Sequence, residues 1–337
     1  MGFFRDKKVL IVGGTGTIGH SLLKFILNDG PRVIRVFSRD EHKQFELQQC
    51  YYHYDNIRYL IGDVRDAERL KRAMQDIDYV YHCAAMKHVP ACEYNPFEAV
   101  QTNVIGTQNV ILASLENKVK KTVFISTDKA IAPTNTYGAS KLMAERLISA
   151  AQFQAGPSLT KFAAVRFGNV MGSRGSVIPL FVKQIVENRK INITSLDMVR
   201  YMMTLDQATE LTLKAMRYAQ GGEVFVLKMP IVKLVDLANA VIKLTSQKIG
   251  IDPKTVVINE IGIRPGEKLF EELMTEEEYL RALELDDMYI IPNEFIKKGT
   301  YTGLISNDKP ICKVEKENPI HFMEVEKLLK QANIMWS

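Results

Sequence analysis

A glycine-rich segment near the start of the chain constrains the fold more than any other feature. Residues 13–19 read Gly-Gly-Thr-Gly-Thr-Ile-Gly; they follow the apolar run 9–12 and enter a helical pattern over 18–27. Glycine allows the backbone to turn sharply and approach a pyrophosphate, which the helix N-terminus then binds. The alternative is an ordinary tight turn, but the flanking strand and helix favour a dinucleotide site. The residues expected to contact the dinucleotide here are Gly13, Thr15, Gly16, Thr17, Ile18 and Gly19.

The first half of the chain alternates between strand and helix patterns. Apolar and β-branched runs predict further strands at residues 33–37, 57–61, 79–82, 123–126 and 162–166. Helical patterns lie among them at residues 68–74, 96–115 and 137–151. This alternation indicates βαβ units, in which a parallel sheet is covered by helices on both faces. The predicted fold class is therefore α/β, a Rossmann-type doubly wound parallel sheet.

The regular alternation weakens after residue 166. Helices are predicted at residues 205–218 and 234–244 and a strand at 224–227, and the acidic run 276–278 indicates a solvated helix face. We predict a dinucleotide-binding domain over residues 1–167, to which later segments return. A smaller C-terminal α/β substrate-binding domain would cover residues 168–298, followed by a tail over 299–337.

Composition narrows the class of protein. The chain has 337 residues, 46% hydrophobic and 25% charged, with a net charge of +5 spread along its length. A nucleic-acid or anionic-lipid partner would need clustered charge, and no apolar stretch is long enough to cross a bilayer. Four cysteines without a secretion signal indicate a cytoplasmic protein without a disulfide framework. His82 and Cys83 point to opposite faces of a strand, so a metal site is not expected.

The end of the second predicted strand bears on which dinucleotide is bound. A carboxylate there binds the ribose 2′-hydroxyl of NAD, whereas a nearby arginine accommodates the 2′-phosphate of NADP. The chain has Ser38, Arg39 and Asp40 at this point, with Lys43 one turn later. NADP is therefore favoured over NAD, although Asp40 leaves the NAD interpretation open. After the third strand, Asp63 and Val64 are candidates to meet the adenine.

A Tyr-x-x-x-Lys pattern opens the helix after the fifth strand. Tyr137 and Lys141 are four residues apart and share one helix face. An ammonium near a phenol would lower the pKa of the phenol and make it a usable base. The preceding strand ends in Thr127, Asp128 and Lys129, at a sheet edge where ligands gather in such folds. A polar surface turn is the alternative for Asp128 and Lys129.

These motifs together resemble the extended short-chain dehydrogenase/reductase family. More specific segments are similar to the inverting UDP-N-acetylglucosamine 4,6-dehydratases of bacterial surface-sugar biosynthesis. They include Lys-His-Val-Pro at residues 87–90, Ser-Thr-Asp-Lys-Ala at 126–130, Arg-Phe-Gly-Asn-Val at 166–170, and Gly-Ile-Arg-Pro-Gly-Glu-Lys at 262–268. The resemblance runs from about residue 7 to about residue 292.

The resemblance implies a reaction and a set of residues. The C4 hydroxyl of a UDP-sugar is oxidised with Tyr137 as base, water is lost across C5 and C6, and the hydride returns to C6. Lys129 would exchange the C5 proton, and Asp128 would assist the loss of water. Further cofactor contacts are implied for Cys83, Ala84, Ala85, Lys87, Asn103, Tyr137 and Lys141. Substrate contacts are implied for Lys87, Asn169, Val170, Arg174, Gly175, Ser176, Val177, Thr194, Arg200, Arg264 and Glu267.

Three other functions stay open at this point. A 5,6-dehydratase would release a 5,6-ene, a 4-epimerase would need no acid/base pair at Asp128 and Lys129, and a sugar-nucleotide sensor would need no catalytic group. The chain also has Val199 where the family usually has threonine before the arginine, which bears on the exact substrate. We expect a homo-oligomer, a dimer or a hexamer, because related enzymes pair through helices beside the site.

Overall fold

The computed structural model describes residues 2–156, 158–293, 301 and 318–332. The strands are β1 (Lys8–Val12), β2 (Val33–Ser38), β3 (Ile57–Ile61), β4 (Tyr79–His82), β5 (Lys121–Ile125), β6 (Lys161–Arg166), β7 (Asn169–Val170), β8 (Lys190–Ile193), β9 (Val199–Met203), β10 (Val224–Leu227), β11 (Ile231–Lys233), β12 (Val257–Glu260), β13 (Leu283–Glu284) and β14 (Met288–Ile291).

The helices cover both faces of the main sheet and build a second layer beside it. They are α1 (Thr17–Leu27), α2 (Glu41–Cys50), α3 (Ala67–Met74), α4 (Val89–Tyr94), α5 (Pro96–Ala99), α6 (Gly106–Glu116), α7 (Thr136–Gln154), α8 (Val177–Asn188), α9 (Leu205–Tyr218), α10 (Leu234–Ile249), α11 (Glu276–Arg281) and α12 (Phe322–Gln331). Most of the predicted tail, residues 299–337, lies outside the described residues, although α12 belongs to it.

One large sheet organises the fold. Within the described chain it has nine strands in the order β13-β14-β10-β6-β5-β4-β1-β2-β3. Every neighbouring pair from β3 to β10 is parallel, while β14 runs antiparallel to β10 and β13 antiparallel to β14. The strand order reverses between β1 and β4, so a crevice opens at their carboxyl ends. The predicted Rossmann-type fold is confirmed.

A second core lies beside the main sheet. It is built from α8, β8, β9, α10 and α12 around residues such as Ile178, Phe181, Leu237, Val241 and Leu329. Two small sheets belong to this region, ordered β11-β9-β7 and β12-β8. Strand β10 and the β13–β14 pair return to the main sheet. The exact boundary at residue 167 stays a prediction.

The helix predicted over residues 96–115 is interrupted. Helix α5 passes into a π-helical segment, Val100–Ile105, before α6 begins at Gly106. A π segment inserts one extra residue and rotates the following helix, which a regular helical period cannot show. The segment carries Asn103, whose side chain is almost fully buried. Its amide accepts from Met86 N and donates to Met86 O, so it braces the loop after β4.

The interpretation of residues 276–278 as a fully solvated helix face is wrong for one of the three. Glu278 is buried and its Oε2 lies 2.8 Å from Nη1 of Arg166, which is itself completely buried at the end of β6. Glu145 of α7 contacts the same guanidinium. The carboxylates compensate the buried cation, as buried charges require. Glu278 also completes the capping box of α11 with Thr275.

Candidate active site

The glycine loop forms the floor of the crevice between β1 and β4. Gly13 has a φ of +83°, and a Cβ there would lie 2.6 Å from the backbone nitrogen of Ala84 on the neighbouring strand segment. Only glycine fits this combination of conformation and close approach. Helix α1 begins at Thr17 with no side-chain cap on its first turn. Its free N–H groups are therefore oriented to bind an anion such as a pyrophosphate.

The end of β2 presents polar side chains to the outer part of the loop. Thr15 Oγ1 donates to Ser38 Oγ at 3.0 Å. Asp40 caps α2 by accepting from Lys43 N, and its carboxylate also pairs with the Lys43 ammonium, which holds the pKa of Asp40 below its usual range. Arg39 is exposed, 3.7 Å from Asp63. Asp40 is thus engaged in capping, while the Arg39 side chain lines the cavity.

Helix α7 positions the predicted tyrosine and lysine. Asn135 caps the helix by accepting from Gly138 N at 2.8 Å, which fixes its first turn. Tyr137 and Lys141 both line the cavity. Burial raises the pKa of Tyr137 to about 12 and lowers the pKa of Lys141 to about 7. Burial therefore favours the uncharged form of each side chain.

The Lys141 ammonium is directed toward the end of β5 in this structure, and its predicted effect on the phenol stays a prediction. Its Nζ donates to the Ile125 carbonyl and lies 3.9 Å from the centre of the Phe124 ring. The cations and hydroxyls that act on Tyr137 come instead from the end of β5, because Thr127 hydrogen-bonds the phenol and Lys129 lowers its pKa against the effect of burial. Thr127 and Lys129 therefore favour the phenolate form of Tyr137, although burial outweighs them.

A hydrogen-bonded chain continues from Thr127 into the protein. Thr127 Oγ1 donates to Asp128 Oδ1 at 2.9 Å. Lys129 Nζ donates to the same Asp128 oxygen at 3.0 Å. Asp128 is completely buried, and its Oδ2 has no hydrogen-bond partner among the described residues. Thr127 and Lys129 line the cavity and connect Asp128 to it.

Glu271 is a member of this cluster that sequence analysis missed. Its Oε1 lies 3.5 Å from Lys129 Nζ, and its side chain is 5% exposed. Burial disfavours the charge on Lys129, but Asp128 and Glu271 outweigh it and raise the pKa of the ammonium. Nothing in the sequence marks Glu271, since 142 residues separate it from Lys129 and it belongs to no recognised motif.

The loop after β7 bridges the two sides of the crevice. Arg174 N donates to Thr17 Oγ1 at 3.2 Å, and the Arg174 guanidinium donates to the Thr15 carbonyl. Lys87 Nζ donates to the Arg174 carbonyl at 2.7 Å. Gly175 has a φ of +71°, and a Cβ there would meet the His88 ring at 2.4 Å. Residues 172–176 therefore cross over the glycine loop, and Arg174, implied to be a substrate contact, lies against the dinucleotide side.

These elements enclose a cavity of about 730 Å³. The predicted site residues that line it are Gly16, Thr17, Ile18, Gly19, Arg39, Lys43, Cys83, Ala85, Lys87, Thr127, Lys129, Tyr137, Lys141, Asn169, Val170, Arg174, Gly175, Ser176 and Val177. Ser126 Oγ and Ser176 Oγ belong to lining residues and have no hydrogen-bond partner within the described part of the chain. The cavity thus offers unused polar atoms to a ligand.

Other predicted residues lie away from the cavity wall. Asp63 pairs with Arg65 at 2.9 Å, Val64 is buried in the core, and Thr194 Oγ1 contacts the Met198 sulfur. The other predicted residues that do not line the cavity are Gly13, Thr15, Ser38, Ala84, Asn103, Asp128, Arg200, Arg264 and Glu267. The loop carrying Arg264 and Glu267 is tied to the start of α7, because Thr134 and Asn135 both donate to the Gly266 carbonyl at 2.9 Å.

The described residues include neither a cluster of metal ligands nor a membrane-spanning helix. His82 is buried and its Nε2 lies 3.0 Å from Thr107 Oγ1, a contact within the core. In the part of the chain that the structure describes, no three histidine, cysteine, aspartate or glutamate side chains come together as a metal site would require. Of the helices described, none has the length and apolar character needed to cross a bilayer.

Comparison with known proteins decides the family. The model of a family described as polysaccharide biosynthesis protein matches residues 9–293. The chain belongs to this family. An inverting UDP-N-acetylglucosamine 4,6-dehydratase of Campylobacter jejuni is 45% identical over 290 residues, which is 86% of this chain and 83% of that protein. The resemblance to that dehydratase family, drawn from the motifs, is confirmed.

Other proteins similar to this chain carry different names. An uncharacterized membrane protein of Methanocaldococcus jannaschii is 45% identical over 99% of this chain and 98% of its own length. A UDP-glucose 4-epimerase of Rickettsia bellii is 40% identical over 93% of this chain and 90% of its own length. The X-ray structure of Pen from Bacillus thuringiensis superposes with a TM-score of 0.91 at 52% identity, covering 98% of this chain and 99% of that one.

Proposed function

We propose that the chain is an NADP-dependent UDP-N-acetylglucosamine 4,6-dehydratase, a lyase that inverts C5 and yields a UDP-2-acetamido-2,6-dideoxy-4-keto-hexose. The observation that carries the proposal is that Tyr137, Thr127 and Lys129 line one cavity, where Thr127 and Lys129 both hydrogen-bond the buried Asp128. A dehydratase needs a base for the C4 hydroxyl and a second acid/base pair for the loss of water. Tyr137 supplies the first, and Asp128 with Lys129 supplies the second.

The two ligands, the dinucleotide and the nucleotide-sugar, would bind at different parts of the cavity wall. The glycine loop and the first turn of α1 would hold the pyrophosphate of the dinucleotide, with Lys141 beside the nicotinamide ribose. When bound, the nicotinamide supplies the acceptor for the C4 hydride and its return to C6. Lys87, with Ser176 and Asn169, would bind the UDP-sugar, since a diphosphate needs cations and N–H or O–H donors.

The side chains move the protons of the reaction as follows. The Tyr137 proton passes through Thr127 to Asp128, and the phenolate takes the proton of the C4 hydroxyl as C4 is oxidised. The C4 ketone acidifies C5, whose proton passes to Lys129 after the Lys129 ammonium has released a proton to solvent. Asp128 returns its proton through Thr127 to the C6 oxygen, which leaves as water. A proton from solvent then adds to C5 on the opposite face and inverts that centre, while Lys129 and solvent restore the starting protonation state.

The preference for NADP depends on the outer end of the loop. Arg39 and Lys43 line the cavity there, and Ser38 is hydrogen-bonded to Thr15. Two cations suit a 2′-phosphate, which carries a charge that the ribose hydroxyl of NAD lacks. Asp40 is occupied by Lys43 and by the cap of α2. These contacts support NADP over NAD.

A UDP-sugar 4-epimerase is the second candidate, because the Rickettsia relative named as one covers nearly the whole chain. An epimerase oxidises C4 and returns the hydride to the other face of the same carbon. An epimerase would therefore need Tyr137 and Lys141, but its reaction does not require the Asp128–Lys129–Glu271 cluster. The burial of two carboxylates, Asp128 and Glu271, around one ammonium favours the dehydratase.

One experiment separates the candidates. The protein is incubated with UDP-N-acetylglucosamine and NADP in deuterated water, and the product is followed by proton NMR. A new C6 methyl group with deuterium at C5 supports the proposal. Vinyl protons at C6 would identify a 5,6-dehydratase, and a changed C4 configuration with C6 intact would identify an epimerase. No turnover would leave a sugar-nucleotide sensor and overturn the enzymatic proposal.

A further inference from the structure

The ammonium of Lys129 is held by oxygen atoms from three separate segments. Asp128 Oδ1 lies at 3.0 Å, Asn169 Oδ1 at 3.4 Å, and Glu271 Oε1 at 3.5 Å. Asp128 and Asn169 belong to the motifs that indicated the site. Glu271 comes from the segment between β12 and α11, and no motif or relative's name points to it.

The segment that carries Glu271 is fixed on both sides. Val199 N donates to the Leu269 carbonyl at 3.1 Å, and Lys268 Nζ donates to the Ile131 carbonyl at 2.9 Å. Two residues after Glu271, the Leu273 carbonyl accepts from the buried Arg166 guanidinium at 2.8 Å. The backbone of residues 268–273 therefore holds the Glu271 carboxylate in one place, and Glu271 is not a loose surface side chain.

Glu271 lies behind Lys129 as seen from the cavity. The Lys129 side chain is 20% exposed and lines the cavity, whereas Glu271 is 5% exposed and is not among the lining residues. A ligand in the cavity would thus meet Lys129 but not Glu271. The carboxylate can act on a reaction there only by acting on the ammonium.

The charges around the pair come from four elements. Asp128 precedes Lys129, Arg200 faces the pair from β9, Lys268 faces Glu271, and the Tyr137 phenol of α7 responds to the charge of Lys129. Burial acts against the charge of Lys129, but Asp128 and Glu271 raise its pKa, and Arg200 lowers it. Removing the Glu271 charge alone therefore lowers the pKa of Lys129.

We propose that Glu271 is a positioning residue for Lys129, whose ammonium it holds at the back of the cavity and keeps charged in the free protein. The role of Lys129 at C5 rests on the proposed function, but the contact and its effect on the amine do not. Glu271 would set the pH above which Lys129 becomes an uncharged base, without changing how substrate binds.

A labelling experiment tests the contact without any activity. The purified protein is treated with trace acetic anhydride at a series of pH values, and acetylation of Lys129 is quantified by mass spectrometry. Only the uncharged amine reacts, so the labelling rate follows the pKa of Lys129. In Glu271→Gln we expect labelling at about pH 9 to rise about tenfold, equal to a fall of about one pKa unit. Glu272→Gln, an exposed neighbour, serves as the matched control and should leave the rate unchanged.

Two outcomes overturn the inference. One is a labelling profile in Glu271→Gln that matches the wild type, and the other is an equal rise in Glu272→Gln. If Glu271→Gln fails to fold, Glu271→Asp replaces it. Aspartate keeps the negative charge but is one methylene shorter, so the acetylation rate of Lys129 should rise by less, in the same direction.

A second experiment tests whether the contact between Glu271 and Lys129 affects the reaction. Oxidation at C4 is followed in a single turnover through the absorbance of reduced nicotinamide, and exchange at C5 through deuterium uptake. Glu271→Gln should keep C4 oxidation within about threefold and shift the rising limb of the C5 exchange profile to lower pH, with KM unchanged. If the wild type shows no C4 oxidation, the proposed function fails while the labelling result still stands. An unshifted C5 exchange profile would contradict the positioning role.

Discussion

Arg166 Nη1 lies 2.8 Å from Glu278 Oε2 with both side chains buried, which joins the end of β6 to the first turn of α11. Arg166→Met would leave Glu145 and Glu278 as uncompensated buried carboxylates. We expect it to reduce the free energy of unfolding by about 3–5 kcal/mol. Chemical denaturation followed by circular dichroism measures this loss.

The exposed ion pair of Lys183 and Glu187 provides the control for that measurement. Its atoms are 3.9 Å apart and both side chains are solvated, so Lys183→Met should change stability by less than about 1 kcal/mol. Similar losses in the two variants would show that the buried network contributes no more than a surface pair.

Tyr137→Phe tests the base at C4. It removes the phenol oxygen that starts the hydrogen-bonded chain to Asp128, and kcat should fall by about 10²–10⁴-fold with little change in substrate Kd. The rate of C4 oxidation in a single turnover is the measurement. Tyr94→Phe, at an exposed tyrosine of α4, is the matched control and should retain full activity. A Tyr137→Phe variant with near-normal kcat would exclude Tyr137 as the base.

Arg39→Ala tests the preference for NADP. Loss of a cation from the 2′-phosphate should weaken NADP binding by about tenfold to a hundredfold and leave NAD binding almost unchanged. Titration calorimetry with each dinucleotide measures the two Kd values. His42→Ala, on the exposed side of the adjoining helix, should change neither. Equal weakening of both dinucleotides would contradict recognition of the phosphate.

Glu223 predicts a pH dependence of stability. Burial raises its pKa to about 7 from an ordinary value near 4.5, against the backbone N–H groups of Gln220 and Gly221 that favour the carboxylate. The folded state therefore holds the proton to higher pH than the unfolded state. The protonated Glu223 carboxyl thus contributes to the free energy of unfolding below about pH 4.5. This contribution, about 3 kcal/mol, is lost as the pH rises to about 7.

Glu223→Gln removes this titration. The free energy of unfolding of both proteins is measured by denaturant melts from pH 5 to pH 7.5. The wild type should lose stability relative to Glu223→Gln as the pH rises. Parallel stability profiles for the two proteins would show that Glu223 has an ordinary pKa.

The expected homo-oligomer has a candidate surface. Exposed apolar side chains repeat at Phe97, Ile105 and Leu112, a spacing that places them on one face of the helical run from α5 to α6, and Met143 of neighbouring α7 is also exposed. Leu112→Glu should shift the protein to monomers in light scattering. Leu159→Glu, at an exposed leucine of the segment before β6, should not. An unchanged mass for Leu112→Glu would place the interface elsewhere.

The first half of the fold was predictable because its patterns are local. The alternation of buried strands with helices, the glycine loop and the spacing of Tyr137 and Lys141 are all properties of a few consecutive residues. The parallel order of β3 to β6 follows from them through the handedness of βαβ crossovers.

The parts that sequence analysis missed depend on contacts between distant segments. Glu278 is buried because Arg166, 112 residues earlier, needs a carboxylate, and no local pattern shows that need. Glu271 joins the site through a loop that folds back onto the segment after β5. The π segment at Val100–Ile105 adds one residue to a helix turn, which leaves the apolar pattern nearly unchanged. Each is a tertiary effect that overrides the local pattern.

The crossing of residues 172–176 over the glycine loop bears on how the cofactor is used. Arg174 contacts both Thr15 and Thr17, so a dinucleotide seated below would leave only after these contacts open. In the proposed reaction the hydride is borrowed and given back, and the cofactor ends each cycle in the oxidation state in which it began. A protein that performs such a cycle has no need to exchange its dinucleotide, and this loop is suited to retaining it as a permanent prosthetic group.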